Sequence, residues 1–232
     1  MKRRNLVVLC AMSALMLTSC DRRNAAPKAS LQFFETYGAQ EIDDYLYPTL
    51  NVFDRSLCND GEERTPLSRM LYRDYNVPGD QVGYSSSKDT AAVNEILEQA
   101  YANGVFDKNE ILFAWNAACN DVIGLYALKQ TEGKSALEGV IVEKAEASTD
   151  MSGNPSIYVT FKPEAALAFA ELSERNINRP IAIAIDGRVR CVPYVRCRID
   201  GGKVEITGNF TEEETEELAS AMSPGWIHGW SF

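Results

Sequence analysis

Residues 199–211 read IDGGKVEITGNFT, and this short run holds a turn, a strand, a corner and a helix start. Gly201 and Gly202 permit a sharp turn, and Lys203 to Thr207 alternates as a strand. Gly208 permits an unusual backbone at the strand end, beside Asn209 and Phe210. Thr211 stands three residues before Glu214, a capping box that opens a helix predicted to run to about Met222. None of these residues is a catalytic group; each has a local structural task.

Upstream, Pro180 to Ile185 alternates strictly, with Ile181, Ile183 and Ile185 on one side. Asp186-Gly187 follows as a two-residue hairpin signal, because both central positions of that turn favour positive φ. A return strand starts at Arg188. Before this hairpin, Val140–Ala147 and Ser156–Phe161 have strand character around the turn-forming residues Asp150 to Pro155. Pro163 suits a first helical position, with Ala166, Leu167, Phe169, Ala170 and Leu172 as the apolar side of a helix that stops near Asn176.

The earlier half is more mixed. A strand is expected from Leu31 to Phe34, then a helix over Gln40–Phe53 with Ile42, Leu46 and Leu50 on one side. Leu57 to Tyr84, with Pro66, Pro78, Gly79 and Gly83, reads as loops and short turns. Asp89–Tyr101 is a helix stopped by Asn103-Gly104, and Ile111–Trp115 and Val122–Leu128 are two strands. Together the order of elements predicts an α+β fold: a mixed or antiparallel sheet with helices packed on one face.

The first residues obey a different logic. Lys2, Arg3 and Arg4 precede an apolar run from Leu6 to Leu17, too short for a stable span, and then Leu17-Thr18-Ser19-Cys20. This order reads as a secretory signal over residues 1–19 ending in a lipobox, with diacylglyceryl attachment at Cys20; an ordinary signal with a chance cysteine is the alternative. Residues 20–30 read as a polar tether on a lipidated cysteine. Two or three acyl chains would hold such a protein on a bilayer, at about 0.8 kcal/mol per buried methylene.

The net charge of −10 becomes −13 once Lys2, Arg3 and Arg4 are set aside, which argues against nucleic-acid binding. A single histidine, His228, stands in the tail 226–232 with Trp226, Trp230 and Phe232, which disfavours a histidine triad and a histidine–carboxylate metal site. No GxxxxGK[ST] or GxGxxG loop occurs, so no nucleotide is expected. The expectation is no catalytic residue, no metal and no cofactor. Of the cysteines left after Cys10 and Cys20, four allow three pairings; Cys191 with Cys197, and Cys58 with Cys119, is one scheme, and free thiols are another.

The literal residues of IDGGKVEITGNFT, preceded by the Asp186-Gly187 hairpin and an alanine-rich helix, resemble the first periplasmic (head) domain of the protein-export family SecD/SecDF. The likeness is strongest over 137–225. It extends upstream through LQFFETY at 31–37, Tyr84–Asn94, Phe113–Trp115 and LYALK at 125–129, so residues 31–136 resemble the N-terminal part of an extended periplasmic domain. The family usually has glycine where this chain has Asn178, and small residues in place of Arg190-Cys191-Val192. Its transmembrane helices have no counterpart here.

The resemblance implies a non-catalytic domain on the periplasmic side of a bacterial envelope, to which the lipobox at Cys20 adds the lipid anchor. Its implied partners are unfolded secreted polypeptide, the Sec translocon or SecDF itself, reached through an open sheet edge or an apolar groove. The alternative is a structural or interaction module that kept the fold without an export role.

Overall fold

The computed structural model describes residues 29–57, 65–73, 80–117 and 121–224. The expectations at Cys20, Cys58, Cys119 and the tail from Trp226 fall outside them. Among the described residues, no helix is long and apolar enough to cross a membrane.

Two stretches of chain, far apart in sequence, make the middle of the molecule. Strand β1 (Leu31–Glu35) pairs antiparallel with β8 (Ile181–Ile185), and β8 with β9 (Arg188–Cys191), in the order β1-β8-β9. The strict alternation of β8 has a reason on both faces. Ile181, Ile183 and Ile185, with Phe33, face one core, while Ala182 and Ala184, with Phe34, face another. The sequence predicts one buried side; the structure buries all five residues of β8. Alanine suits the second face because Ala114, Tyr126 and Leu128 of a neighbouring sheet press on it.

That neighbour is a four-stranded antiparallel sheet, in the order β2-β3-β5-β4, from β2 (Leu71–Tyr72), β3 (Gln81–Ser86), β4 (Ile111–Trp115) and β5 (Val122–Lys129). Its other side is covered by the Ile42–Leu46 turn that follows α1 (Ala39–Glu41), and by α2 (Tyr47–Ser56), α3 (Leu67–Met70) and α4 (Thr90–Ala102). The predicted helix at 40–53 forms, with Ile42, Leu46 and Leu50 fully buried, but it passes through a π turn at Ile42–Leu46. Pro48 has no N–H to return to the Asp44 carbonyl, and Tyr47 N–H bonds five residues back to Ile42 instead. Strand β3 lies where loops are predicted. Its Gly83 marks close strand approach, not a turn: a Cβ there would lie 2.9 Å from Leu71 Cγ and 3.0 Å from Tyr72 O.

The third sheet, β10-β7-β6, covers the isoleucine face from the other side, using β6 (Val142–Thr149), β7 (Pro155–Phe161) and β10 (Lys203–Thr207). Helices α5 (Pro163–Arg175) and α6 (Glu212–Met222) close this core. On α5 the buried positions are Ala165, Phe169, Ala170, Leu172 and Ser173; Leu167, predicted on the apolar side, is 68% exposed because it points away from the 165–169–172 row. The fold is thus α+β as expected, with three small antiparallel sheets among the described residues in place of one. Strand β1 joins the core of the later part of the chain, across the division expected at 136/137.

Candidate functional site

Three predicted turn and cap positions hold the later core in shape. Asp186 and Gly187 both take left-handed angles, φ 52° and 73°, as the hairpin requires, and Asp186 Oδ1 accepts the Ser30 N–H at 2.8 Å. Gly202 has φ 61°, whereas Gly201 does not share that conformation. Thr211 Oγ1 accepts Glu214 N–H at 3.1 Å, and Glu214 returns a carboxylate oxygen to Thr211 N–H, so the capping box is complete. Gly208 serves a different need from the one predicted. Its φ is not left-handed, but a Cβ would stand 3.2 Å from Phe210 Cε2 and 3.3 Å from the Arg190 carbonyl. Asn209 is exposed. Asn178 adopts φ 62°, so asparagine here keeps a glycine-like turn.

Between sheets β1-β8-β9 and β10-β7-β6 the chain leaves an apolar cleft of about 360 Å³. Phe33, Phe169, Ile181 and Ile183 form its floor. One wall is the segment 193–199, held by Val195 N–H to the Arg179 carbonyl at 3.0 Å and Ile199 N–H to Ser173 Oγ at 2.9 Å. The other wall is β10, through Lys203, Val204 and Glu205. Sequence reasoning names an open edge or groove without placing it; the GGKVEI run is the signal that lay closest to it.

The orientation of β10 gives the cleft its chemistry. This strand has a hydrogen-bonded neighbour, β7, on one side. Phe161 N–H donates to the Gly202 carbonyl at 2.8 Å, and in an antiparallel ladder the main-chain groups alternate in direction. Val204 and Ile206 therefore turn theirs to β7, and Lys203, Glu205 and Thr207 turn theirs outward. Thr207 meets Cys191 of β9, while Lys203 and Glu205, whose main-chain groups turn away from β7, line the cleft.

The proposed Cys191–Cys197 bond is not formed; both thiols are free. Cys191 packs on the core with Thr207 N–H at its sulfur, while Cys197 lies exposed on the cleft wall beyond the Pro193 bend. Burial pushes the Cys191 thiol up to about 12, outweighing the Thr207 contact. Iodoacetamide at pH 8 is expected to label Cys197 in the folded protein and to spare Cys191 until denaturant is added, as peptide mass mapping would show; early labelling of Cys191 would contradict this packing.

On the cleft wall, Tyr194 is pushed up, first by the nearby Asp80 carboxylate and then by burial. Burial raises Asp80 in turn, although Ala39 N–H bonds it at 3.1 Å. A second cavity, about 550 Å³, lies between α4 and β4, where Trp115 Nε1–H donates to Asn94 Oδ1 at 2.8 Å; its lining mixes polar and apolar groups. Among the described residues, no group of three His, Cys, Asp or Glu side chains is placed to hold a metal.

The SecDF P1 head subdomain matches residues 122–227, a span that starts at β5 and includes both walls of the cleft. The SecD protein translocase subunit of Acidaminococcus fermentans is 39% identical over 97 residues, covering 42% of this chain and 23% of that one. The SecDF subunit of Thermus thermophilus is 38% identical over 93 residues, 40% of this chain and 13% of that. The SecD subunit of Magnetococcus marinus is 24% identical over 202 residues, 86% of this chain and 38% of that. This chain therefore spans well under half the length of these relatives. A crystal structure of SecDF in its super-membrane-facing form covers 86% of this chain and 19% of its own at 22% identity and a TM-score of 0.43, a likeness too loose to transfer residue positions.

Proposed function

We propose that this protein, whose residues 122–227 match the SecDF P1 head subdomain, holds an extended segment of an exported polypeptide in the cleft beside β10. The observation that carries this reading is the outward turn of the Lys203 and Glu205 main chain over an apolar floor. A guest strand would take up those hydrogen bonds and place alternate side chains in the cleft, above Phe169, Ile181 and Ile183. The cleft offers geometry for binding an extended chain.

Attachment of lipid at Cys20 would keep this cleft beside a membrane where secreted chains emerge, raising their effective concentration without a new contact. Loss of radiolabelled palmitate from a Cys20→Ser variant in cells is the expected sign of that anchor. For the cleft, Cys197 supplies a test that leaves the sequence intact. A bulky maleimide on Cys197 should abolish binding of an unfolded secreted-protein fragment, with a Cys197→Ser protein unaffected by the reagent. Equal binding before and after modification would rule the cleft out. In cells, a photocrosslinker at Lys203 should capture exported chains or translocon subunits; capture of an unrelated envelope protein alone would favour a structural module.

A further inference from the structure

The cleft stands in an unusually basic part of an acidic protein. The chain carries −10 overall, yet residues 188–203 hold Arg188, Arg190, Arg196, Arg198 and Lys203 against Asp200 alone. Several of these cations are already engaged. Arg198 meets Glu174 and Asp200, and Arg190 meets Glu214 while lying over the Phe210 ring. Arg196 and Lys203 differ. Each lines the cleft, one on each wall, both are exposed, and neither belongs to an ion pair among the described residues. Arg196 lies over the Tyr194 ring at 6.0 Å, on the rim. The acid on the same rim, Glu205, is turned to Ser156 Oγ, which donates to it at 2.8 Å.

We propose that the cleft prefers apolar extended segments flanked by acidic side chains over those flanked by basic ones. This rests on the holding function above and names the class of segment held. An extended guest along β10 passes Lys203 at one wall while its apolar residues enter the floor, and its flanks come within reach of Arg196 on the other. Acidic flanks meet two cations there; basic flanks meet the same two as repulsion. The net acidity of the whole protein would by itself favour a basic guest, so the opposite preference reports the local arrangement and not bulk charge.

Three fluorescein-labelled peptides with one shared Val-Leu-Val-Leu centre, and with paired Asp, Ser or Lys flanks, separate the terms by anisotropy on the purified full chain. At about 0.1 M salt the Asp-flanked peptide is expected to bind about 5–10-fold tighter than the Lys-flanked one, and the ratio to fall below about 2-fold at about 1 M salt, where the screening length is near 3 Å. In the double variant Arg196→Gln with Lys203→Gln, the Asp-flanked peptide should bind more weakly and the Lys-flanked peptide more tightly. Opposite movements cannot come from misfolding, which would weaken both. Equal affinities of the two charged peptides, or a ratio that survives in the double variant, would overturn the selectivity while leaving the holding function in place. If none of the three peptides binds, the holding function itself fails and the selectivity falls with it.

Discussion

Replacing Phe33 by alanine is expected to lower stability by about 3–5 kcal/mol, read as a drop in the urea midpoint at unchanged slope. Phe33 is fully buried, and its ring stands 5.6 Å from Phe161, edge on, and 5.0 Å from Phe169. Its main chain bonds Leu137 in both directions, N–H to O at 2.9 and 3.2 Å, and its Cα pairs with Ile183. The cavity left by truncation opens beneath three elements that cannot collapse independently: β1, β7 and α5. Since a domain's whole stability is about 5–15 kcal/mol, this one side chain decides whether the later core stays closed. A loss under about 1 kcal/mol would mean that β1 does not belong to that core.

Gly202→Ala is expected to cost about 2–5 kcal/mol, from two additive causes. At φ 61° a side chain meets the left-handed penalty of about 1–2 kcal/mol, and the new Cβ would sit 2.8 Å from the Ala166 Cβ, an overlap that adds about 1–3 kcal/mol. The neighbouring Gly201→Ala is the control. Its Cβ meets nothing within 4 Å and its φ is not left-handed, so it should shift the thermal midpoint little. Equal effects at the two glycines would show that the pair acts only through chain flexibility.

Much of this architecture is legible in the sequence where local signals agree. Asp186-Gly187, Pro163 and the Thr211–Glu214 box each specify a backbone state without help from distant residues, and each forms as read. The likeness carried by IDGGKVEITGNFT agrees with the match over 122–227. What fails locally depends on neighbours. Gly83 looks like a turn because glycine is permissive, but it is needed where β2 crosses close to β3, a fact set by Leu71 and Tyr72. Leu167 looks like core until the faces of α5 are known. The cleft was the least legible part, because its floor comes from β1, β8 and α5 and its walls from two other segments; no single window contains it.

The pairing of β1 with β8 also sets an order of events for a newly made chain. Ser30 and Asp186, which exchange hydrogen bonds at the end of that pair, are 156 positions apart. Closing so large a loop has to precede the contacts that reward it, so the middle sheet belongs to the late, slow phase of folding. A chain threaded through a membrane from its N-terminus would emerge with β1 unpaired and Phe33 and Phe34 uncovered until β8 followed. Such a chain would, for most of its passage, present the kind of uncovered segment that the proposed cleft would hold.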